Sequence, residues 1–365
     1  MNHSFYIGFE VIPRLREWLQ QAGLHKVLLV RGKSSFTSCG AENIFSELAK
    51  EAKIPEFVPF SDFQTNPLIE DCQKGVALCN TENVDAIIGV GGGSVLDMAK
   101  LIRHFYRESF CKSLSLMVLP TTAGTGAEAT HFAVCYVAGE KTSVSHEDIR
   151  PDQTLIYPPF TYHNAPYLTA CTGFDAVAQA IESYWSVKSN EESQEWALQA
   201  LAKLWKQLPA LMQNQQNTSL RNDIAEGAYY AGRAIDLTTT TAAHAFSYKF
   251  TSLKGYPHGH AVSLTFPFWF ARNTLDFQNL LPTIEPKEYA LRMEKLLASI
   301  DCQANTLSDR MAFMQDYINS LGLLKGSFTV EELKPIINAF NAERAKNNPT
   351  LIDESTKKDL IKFLI

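Results

Sequence analysis

The sequence predicts an α/β protein with a doubly wound parallel sheet in its first half and a helical second half. Three observations carry that class. Short apolar runs alternate with helix-period segments as far as about residue 158. Beyond Pro158-Pro159 strand-like runs largely vanish. A run of three glycines, Gly91-Gly92-Gly93, stands between a strong strand and a helix. At 365 residues the chain is long for one core, so two domains are expected, residues 1–160 and 161–365.

The elements follow in order. Val11, Leu15, Trp18 and Leu19 recur at helical spacing, so Val11 to Ala22 reads as a helix closed by Gly23. Lys26 to Arg31 is a short apolar run of the kind buried in a parallel sheet, and Gly32-Lys33-Ser34-Ser35 is a turn. Ala41 to Ala52 reads as helix, Pro55 to Phe60 as strand, Pro67 to Cys79 as helix and Asp85 to Val90 as a third buried strand. Leu116 to Pro120 is a further strand. Strand alternating with helix implies right-handed βαβ units. The boundary is expected in the Pro158 to Pro166 region. After it, Asp175 to Trp185, Gln194 to Leu211, Leu220 to Ala234, Thr240 to Phe250 and the segments from Lys287 onward read as helices, with a polar loop at Gln213 to Asn217.

Composition excludes several classes. Apolar content is 45% and charged content 20%, ordinary for a globular chain. A net charge of −6 with no block of like charges argues against nucleic acid or an anionic membrane as the main partner. Seven cysteines occur singly and without a CxxC pair, which argues against a disulfide framework or a zinc knuckle and fits a reducing compartment. No run of 18 apolar residues and no signal architecture at the N-terminus lead to a cytoplasmic expectation.

Chemistry concentrates in four stretches. Gly91-Gly92-Gly93-Ser94 lets the backbone approach a ligand, and the helix start behind it favours a phosphate or pyrophosphate; Ser94 and Asp97 have capping-box spacing. Thr121, Thr122 and Thr125 lie in a loop at a strand's carboxyl end, where open α/β sheets bind ligands. Asp175 and Gln179 are i and i+4 on one helix face. Thr240 to Pro267 holds three of the nine histidines, His244, His258 and His260. A carboxylate, an amide oxygen and two imidazoles suit one divalent cation, so these two segments are expected to close on a metal.

Four ordered motifs carry a family resemblance: Gly91 to Lys100, Pro120 to Gly126, Gly173-Phe174-Asp175 and His258-Gly259. Together they resemble the iron-containing (group III) alcohol dehydrogenase family, clearly over roughly Gly23 to Pro267 and loosely beyond. The resemblance implies a dehydroquinate synthase-like architecture: a Rossmann-like dinucleotide-binding domain, then an all-α metal-binding domain. It also implies a homodimer and hydride transfer between a nicotinamide and an aldehyde or alcohol. Asp175, His244 and His258 match the family's metal ligands, and Gln179 stands where the family usually has histidine. The metal implied is Fe2+, with Zn2+ or Mn2+ as alternatives.

Within that family, Ala170 to Trp185 and Thr241 to Tyr248 look like the hydroxyethylphosphonate dehydrogenase (phosphonoacetaldehyde reductase) branch. The substrate implied is phosphonoacetaldehyde, reduced to 2-hydroxyethylphosphonate. The alternatives are another small aldehyde, alcohol or polyol, or a dinucleotide-binding protein impaired in catalysis. A phosphonate dianion needs cationic or N–H donors, for which His131, Arg150, Lys249 and His260 are candidates. Tyr248 and His260 are candidates for protonating the alkoxide. The turn Gly32-Lys33-Ser34 carries no acid and is flanked by Arg31, which favours NADPH over NADH.

Overall fold

A computed structural model describes residues 3–21, 23–65, 67–138 and 140–365. Ala22, the expected end of the first helix, lies outside them. The chain forms two compact units, Met1–Asn164 and Ala165–Ile365.

The first unit runs β1 (Ser4–Ile7), α1 (Val11–Leu19), β2 (Lys26–Arg31), α2 (Ser35–Ser38), α3 (Ala41–Leu48), β3 (Glu56–Phe60), α4 (Ile69–Glu82), β4 (Ala86–Gly91), α5 (Gly93–Phe110), β5 (Ser115–Pro120), β6 (Phe132–Val137), β7 (Glu140–Ser145), a 3-10 turn (Glu147–Ile149) and β8 (Gln153–Ile156). A second 3-10 turn, Pro158–Thr161, closes it. Six strands pair in the order β1-β8-β5-β4-β2-β3, all parallel. Strand residues alternate between two cores. Leu28, Val30 and Ile87 pack with Val76 of α4 and Leu96 and Ile102 of α5. Val27, Leu29 and Ile88 pack with Leu15 of α1 and Phe45 of α3 on the other face. A sheet covered on both faces needs the continuous apolar runs seen in β2, β4 and β5.

From β2 the chain adds β3 on one side, then returns to add β4 on the other. The carboxyl ends of β2 and β4 therefore flank the point where the winding reverses, which is where such sheets bind ligands.

Two parts of this unit differ from the sequence expectation. The sheet takes two further strands, β1 and β8, each of four residues and paired with each other in register Ser4 to Gln153. Segments that short carry no period to read; only the neighbouring strand makes them extended. After the threonine loop, in a stretch for which no element is expected, the chain forms an antiparallel hairpin, β6 with β7. Asp97 and Lys100 of α5 hold that hairpin. Asp97 Oδ2 accepts from Val134 N–H at 3.1 Å. The Lys100 ammonium, fully buried, donates to Ala127 O at 2.8 Å, Thr130 Oγ1 at 3.0 Å and Phe132 O at 2.5 Å, and lies 3.7 Å from Asp97 Oδ1. Lys100→Met keeps the bulk but strips three acceptors and a carboxylate of their cation, so it is expected to cost about 3 kcal/mol of stability. Urea denaturation checks this; a loss below about 1 kcal/mol would show the ammonium to be dispensable.

The second unit is helical: α6 (Pro166–Trp185), α7 (Glu191–Leu204), α8 (Gln207–Gln213), α9 (Thr218–Thr238), α10 (Ala242–Lys254), α11 (His258–Leu275), α12 (Pro286–Ser299), α13 (Leu307–Ser320), α14 (Val330–Asn338), α15 (Ala342–Ala345) and α16 (Glu354–Leu364). The expected helix Gln194 to Leu211 is two helices, broken where Trp205 stacks flat on Tyr317 with ring centroids 3.8 Å apart. Pro209 lies in the first turn of α8, the place where a residue without an N–H is tolerated. α11 falls where the sequence predicts no element. It runs through Pro267, and burial of fifteen of its residues offsets a proline cost of about 3 kcal/mol. Among the described residues no helix is long and apolar enough to cross a membrane.

Candidate active site

In the second unit the site is built on α6. This helix is apolar nearly all round and buried from Thr169 to Trp185 apart from Thr172, as expected of a helix enclosed by others. The polar residues Asp175, Gln179 and Glu182 fall at i, i+4 and i+7, one stripe along it, all buried. Buried carboxylates need partners. Asp175 Oδ1 lies 3.1 Å from His244 Nε2 on α10 and 3.9 Å from His258 Nε2 at the first turn of α11. One donor atom from each of the three lies within 4.8 Å of the others. His258 is a third exposed, so the cluster has an open side.

Two glycines make this convergence. Gly255 ends α10 at φ +73, a left-handed turn that sends the chain back so that α11 begins beside His244. Gly259 follows His258 where α11 meets α6. A Cβ there would lie 1.9 Å from Cys171 O and 3.2 Å from Asp175 Cβ. Only hydrogen fits.

Glu182 is a supporting residue that the sequence reading does not single out, although its position three residues past Gln179 on the same stripe follows from helical period. Its Oε1 accepts from Thr241 Oγ1 at 2.8 Å and from the N–H groups of Ala243 at 2.9 Å and His244 at 3.5 Å. It thereby caps the start of α10, where a negative charge is favoured. Its Oε2 faces His244 Nδ1. A carboxylate at Nδ1 orients the ring and leaves Nε2 toward Asp175, the arrangement found behind metal-bound imidazoles. Burial opposes charge on His244, but Glu182 and Asp175 outweigh it and hold the ring's proton well above its ordinary range. A divalent cation would take that proton's place between the same groups. The donor set therefore fits a metal: one carboxylate and two imidazoles, with Gln179 one helical turn from Asp175.

The other candidates of this unit fall in different places. Tyr248, one turn after His244 on α10, stacks on the His258 ring at 6.0 Å with planes 17° apart. His260 is two residues past His258 and so on another face of α11. Its Nδ1 pairs with Tyr167 Oη at 2.7 Å and its Nε2 with Leu324 O at 3.0 Å. Both ring nitrogens are hydrogen-bonded there. Lys249 is half-buried on α10.

In the first unit, Gly32, Lys33 and Ser34 follow β2, while Gly91 ends β4 and Gly92 to Ser94 open α5, so both stretches stand at the reversal point of the sheet. The expected capping box is absent. The N-cap of α5 is Gly92, no side chain caps it, and Asp97 is spent on Val134 and Lys100. The N-cap of α5 thus supplies no side-chain acceptor to the first amides, as suits a ligand anion. A Cβ on Gly93 would meet Thr125 Oγ1 at 2.8 Å, and one on Gly92 would reach Thr122 Oγ1 at 3.4 Å. Thr121 is buried, its N–H bonded to Gly91 O at 2.9 Å. The glycine and threonine loops therefore form one surface. Lys33 is exposed and 3.7 Å from Asp62. His131 precedes β6, and Arg150 ends the 3-10 turn, 3.7 Å from Glu147.

This pairing of a switch-point parallel sheet with a helical Asp-His-His unit is the fold class of the metal-dependent alcohol dehydrogenases. Residues 2–158 match the iron-containing alcohol dehydrogenase domain, and residues 169–332 the family's C-terminal domain. The chain belongs to the iron-containing alcohol dehydrogenase family, whose members are oxidoreductases that bind NAD(H) and a divalent metal, usually iron. It is 27% identical to long-chain-alcohol dehydrogenase 1 of Geobacillus thermodenitrificans, over 72% of this chain and 70% of that one. It is 29% identical to the phosphonoacetaldehyde reductase of Streptomyces viridochromogenes, a match spanning 50% of this chain and 51% of the relative. Its fold matches the sulfoacetaldehyde reductase of Bifidobacterium kashiwanohense at a TM-score of 0.84 and 24% identity, covering 100% of this chain and 96% of that one.

Proposed function

We propose that the protein reduces a small aldehyde to a primary alcohol with a nicotinamide cofactor, and that the aldehyde is phosphonoacetaldehyde. The observation that carries the reading is the Asp175, His244 and His258 cluster with its carboxylate support at Glu182. These three residues, joined by Gln179, would hold the divalent metal. When bound, such a metal supplies Lewis-acid stabilisation of the oxyanion that forms as hydride arrives. Asp175 contributes the negative charge of the ligand set, and Glu182 keeps His244 oriented. The Tyr248 hydroxyl, on the residue stacked against His258, delivers the proton that completes the alcohol. Lys249, His131 and Arg150 are the cationic or N–H groups assigned to the phosphonate dianion. The pyrophosphate rests on Gly91 to Ser94, with Asp97 holding α5 in place, and Thr121, Thr122 and Thr125 line the ribose and nicotinamide. The 29% identity to a phosphonoacetaldehyde reductase supports the substrate.

The deciding assay is NADPH oxidation with phosphonoacetaldehyde before and after exhaustive chelation, with Fe2+, Zn2+ or Mn2+ restored. Turnover is expected to vanish on chelation and return with one ion. Reduction of ordinary aldehydes alone would keep the family and discard the phosphonate.

Gly32, Lys33 and Ser34 themselves carry a cation and no acid where a ribose 2′-phosphate would lie, with Asp62 3.7 Å from Lys33 as an exposed partner that the phosphate would replace. Lys33→Ala is expected to raise the KM for NADPH about tenfold, the loss of one charge-assisted contact, with little change for NADH. Equal effects on both cofactors would remove Lys33 from cofactor choice.

A further inference from the structure

The first unit holds a second group of metal-ligating side chains that the proposed reaction does not use. His104 lies on α5. His146 is the N-cap of the 3-10 turn before β8, and Asp148 is in that turn. Asp148 Oδ1 lies 2.9 Å from His104 Nδ1 and 2.5 Å from His146 Nδ1. The two rings stand 5.3 Å apart, tilted by 41°. One donor atom from each residue falls within 4.8 Å of the other two. His104 and Asp148 are buried, whereas the His146 side chain is 53% exposed. The group is thus rooted in the core and open on one side, so that a cation could enter and keep a water.

We propose that His104, His146 and Asp148 form a second divalent-cation site, of the zinc type, clasping α5 to the turn before β8. Two imidazoles and one carboxylate with an open position form a set that binds zinc and other borderline cations. With arms of about 2.1 Å, tetrahedral geometry separates neighbouring donors by roughly 3.4 Å. The two Nδ1 atoms now share Oδ1 at shorter, hydrogen-bond distances, so the cation needs an expansion of less than about 1 Å. The exposed turn that bears His146 supplies it.

The charges around the group are mixed. Arg107 Nη1 binds Asp148 Oδ2 at 3.1 Å, which orients the carboxylate and leaves Oδ1 for the cation. Glu108 Oε1 lies 3.6 Å from His104 Nε2 and offsets the arginine. An outer carboxylate on the second nitrogen of a ligating imidazole is the support expected behind such a site. Without a cation the same residues form a hydrogen-bonded ion cluster, which is the competing account.

Zinc stoichiometry of the full chain separates the two. Elemental analysis after equilibration with zinc and gel filtration is expected to find two ions per chain in the wild type. His146→Ala, a substitution at an exposed ring, is expected to leave one, as is His258→Ala; the double variant should retain none. Cobalt(II) absorption in the His258→Ala protein is expected to show a ligand-field band that His146→Ala removes. Circular dichroism confirms folding, and His146→Gln provides a second variant should the alanine disturb the turn. One ion in the wild type, lost in His258→Ala but kept in His146→Ala, would overturn the proposal without touching the reading of the Asp175 cluster.

Discussion

Asp175→Asn is expected to weaken metal retention by more than 100-fold and to take turnover down with it. Asp175 is the one anion in the proposed ligand set, with two imidazoles and the amide of Gln179. Its carboxylate lies 3.1 Å from His244 Nε2 and 3.9 Å from His258 Nε2, so its charge sits where both rings point. The amide is isosteric but neutral, and a hundredfold loss corresponds to about 2.7 kcal/mol. Glu182→Gln sets the scale. It removes the charge behind His244 without touching the three donors, and losses of outer partners typically cost about 10- to 100-fold. The expected order is therefore wild type, then Glu182→Gln, then Asp175→Asn, measured by competition of each protein with a chelator of known affinity. Near-ultraviolet circular dichroism shows whether the fold is kept. An Asp175→Asn protein that held its metal within threefold of the wild type would remove Asp175 from the site.

Gly259→Ala is expected to destabilise the second unit by about 3 kcal/mol, the upper end of what overpacking costs. The added carbon would lie 1.9 Å from the Cys171 carbonyl oxygen and 2.8 Å from its carbon, both backbone atoms of α6 that no rotamer change can move. α11 must shift away from α6. His258, the preceding residue, would shift with it, away from Asp175. Stability and metal affinity should therefore fall together, with a melting decrease of about 6–12 °C for a unit of this size. A melting change under about 2 °C with unaltered metal binding would show that the helices separate without cost.

The coupling of Gly259 to Asp175 also marks how far the sequence could be read. The buried strands β2, β4 and β5 were legible because each is a continuous apolar run long enough to cross a covered sheet. The loops after β2, β4 and β5 were legible from glycine, serine and threonine at strand ends. The stripe of Asp175 and Gln179 follows from helical period alone. Other features depend on contacts far along the chain. Ser4–Ile7 and Gln153–Ile156 become strands because each offers the other a ladder. Ser94 and Asp97 have capping-box spacing, yet α5 starts at Gly93 with Gly92 as its N-cap, so both lie inside the helix, and Asp97 instead accepts from Val134 and lies beside Lys100. His260 shares a motif with His258 but turns to Tyr167 and Leu324.

The sequence by itself determined the buried central strands β2, β4 and β5 and most of the helices, the turn chemistry at the sheet's carboxyl ends and the residue types able to hold a metal. These are local matters of hydrophobic period, backbone freedom and donor atoms. Only the tertiary structure decided that Glu182 stands behind His244 and that Gly259 yields its side-chain space to Cys171. It also decided that Lys100 is buried among carbonyls and that His104, His146 and Asp148 meet at one oxygen. Each of these is settled by the packing of elements 27 to 88 residues apart, where exclusion of water drives buried polar groups toward partners, and no spacing along the chain encodes which one it will be.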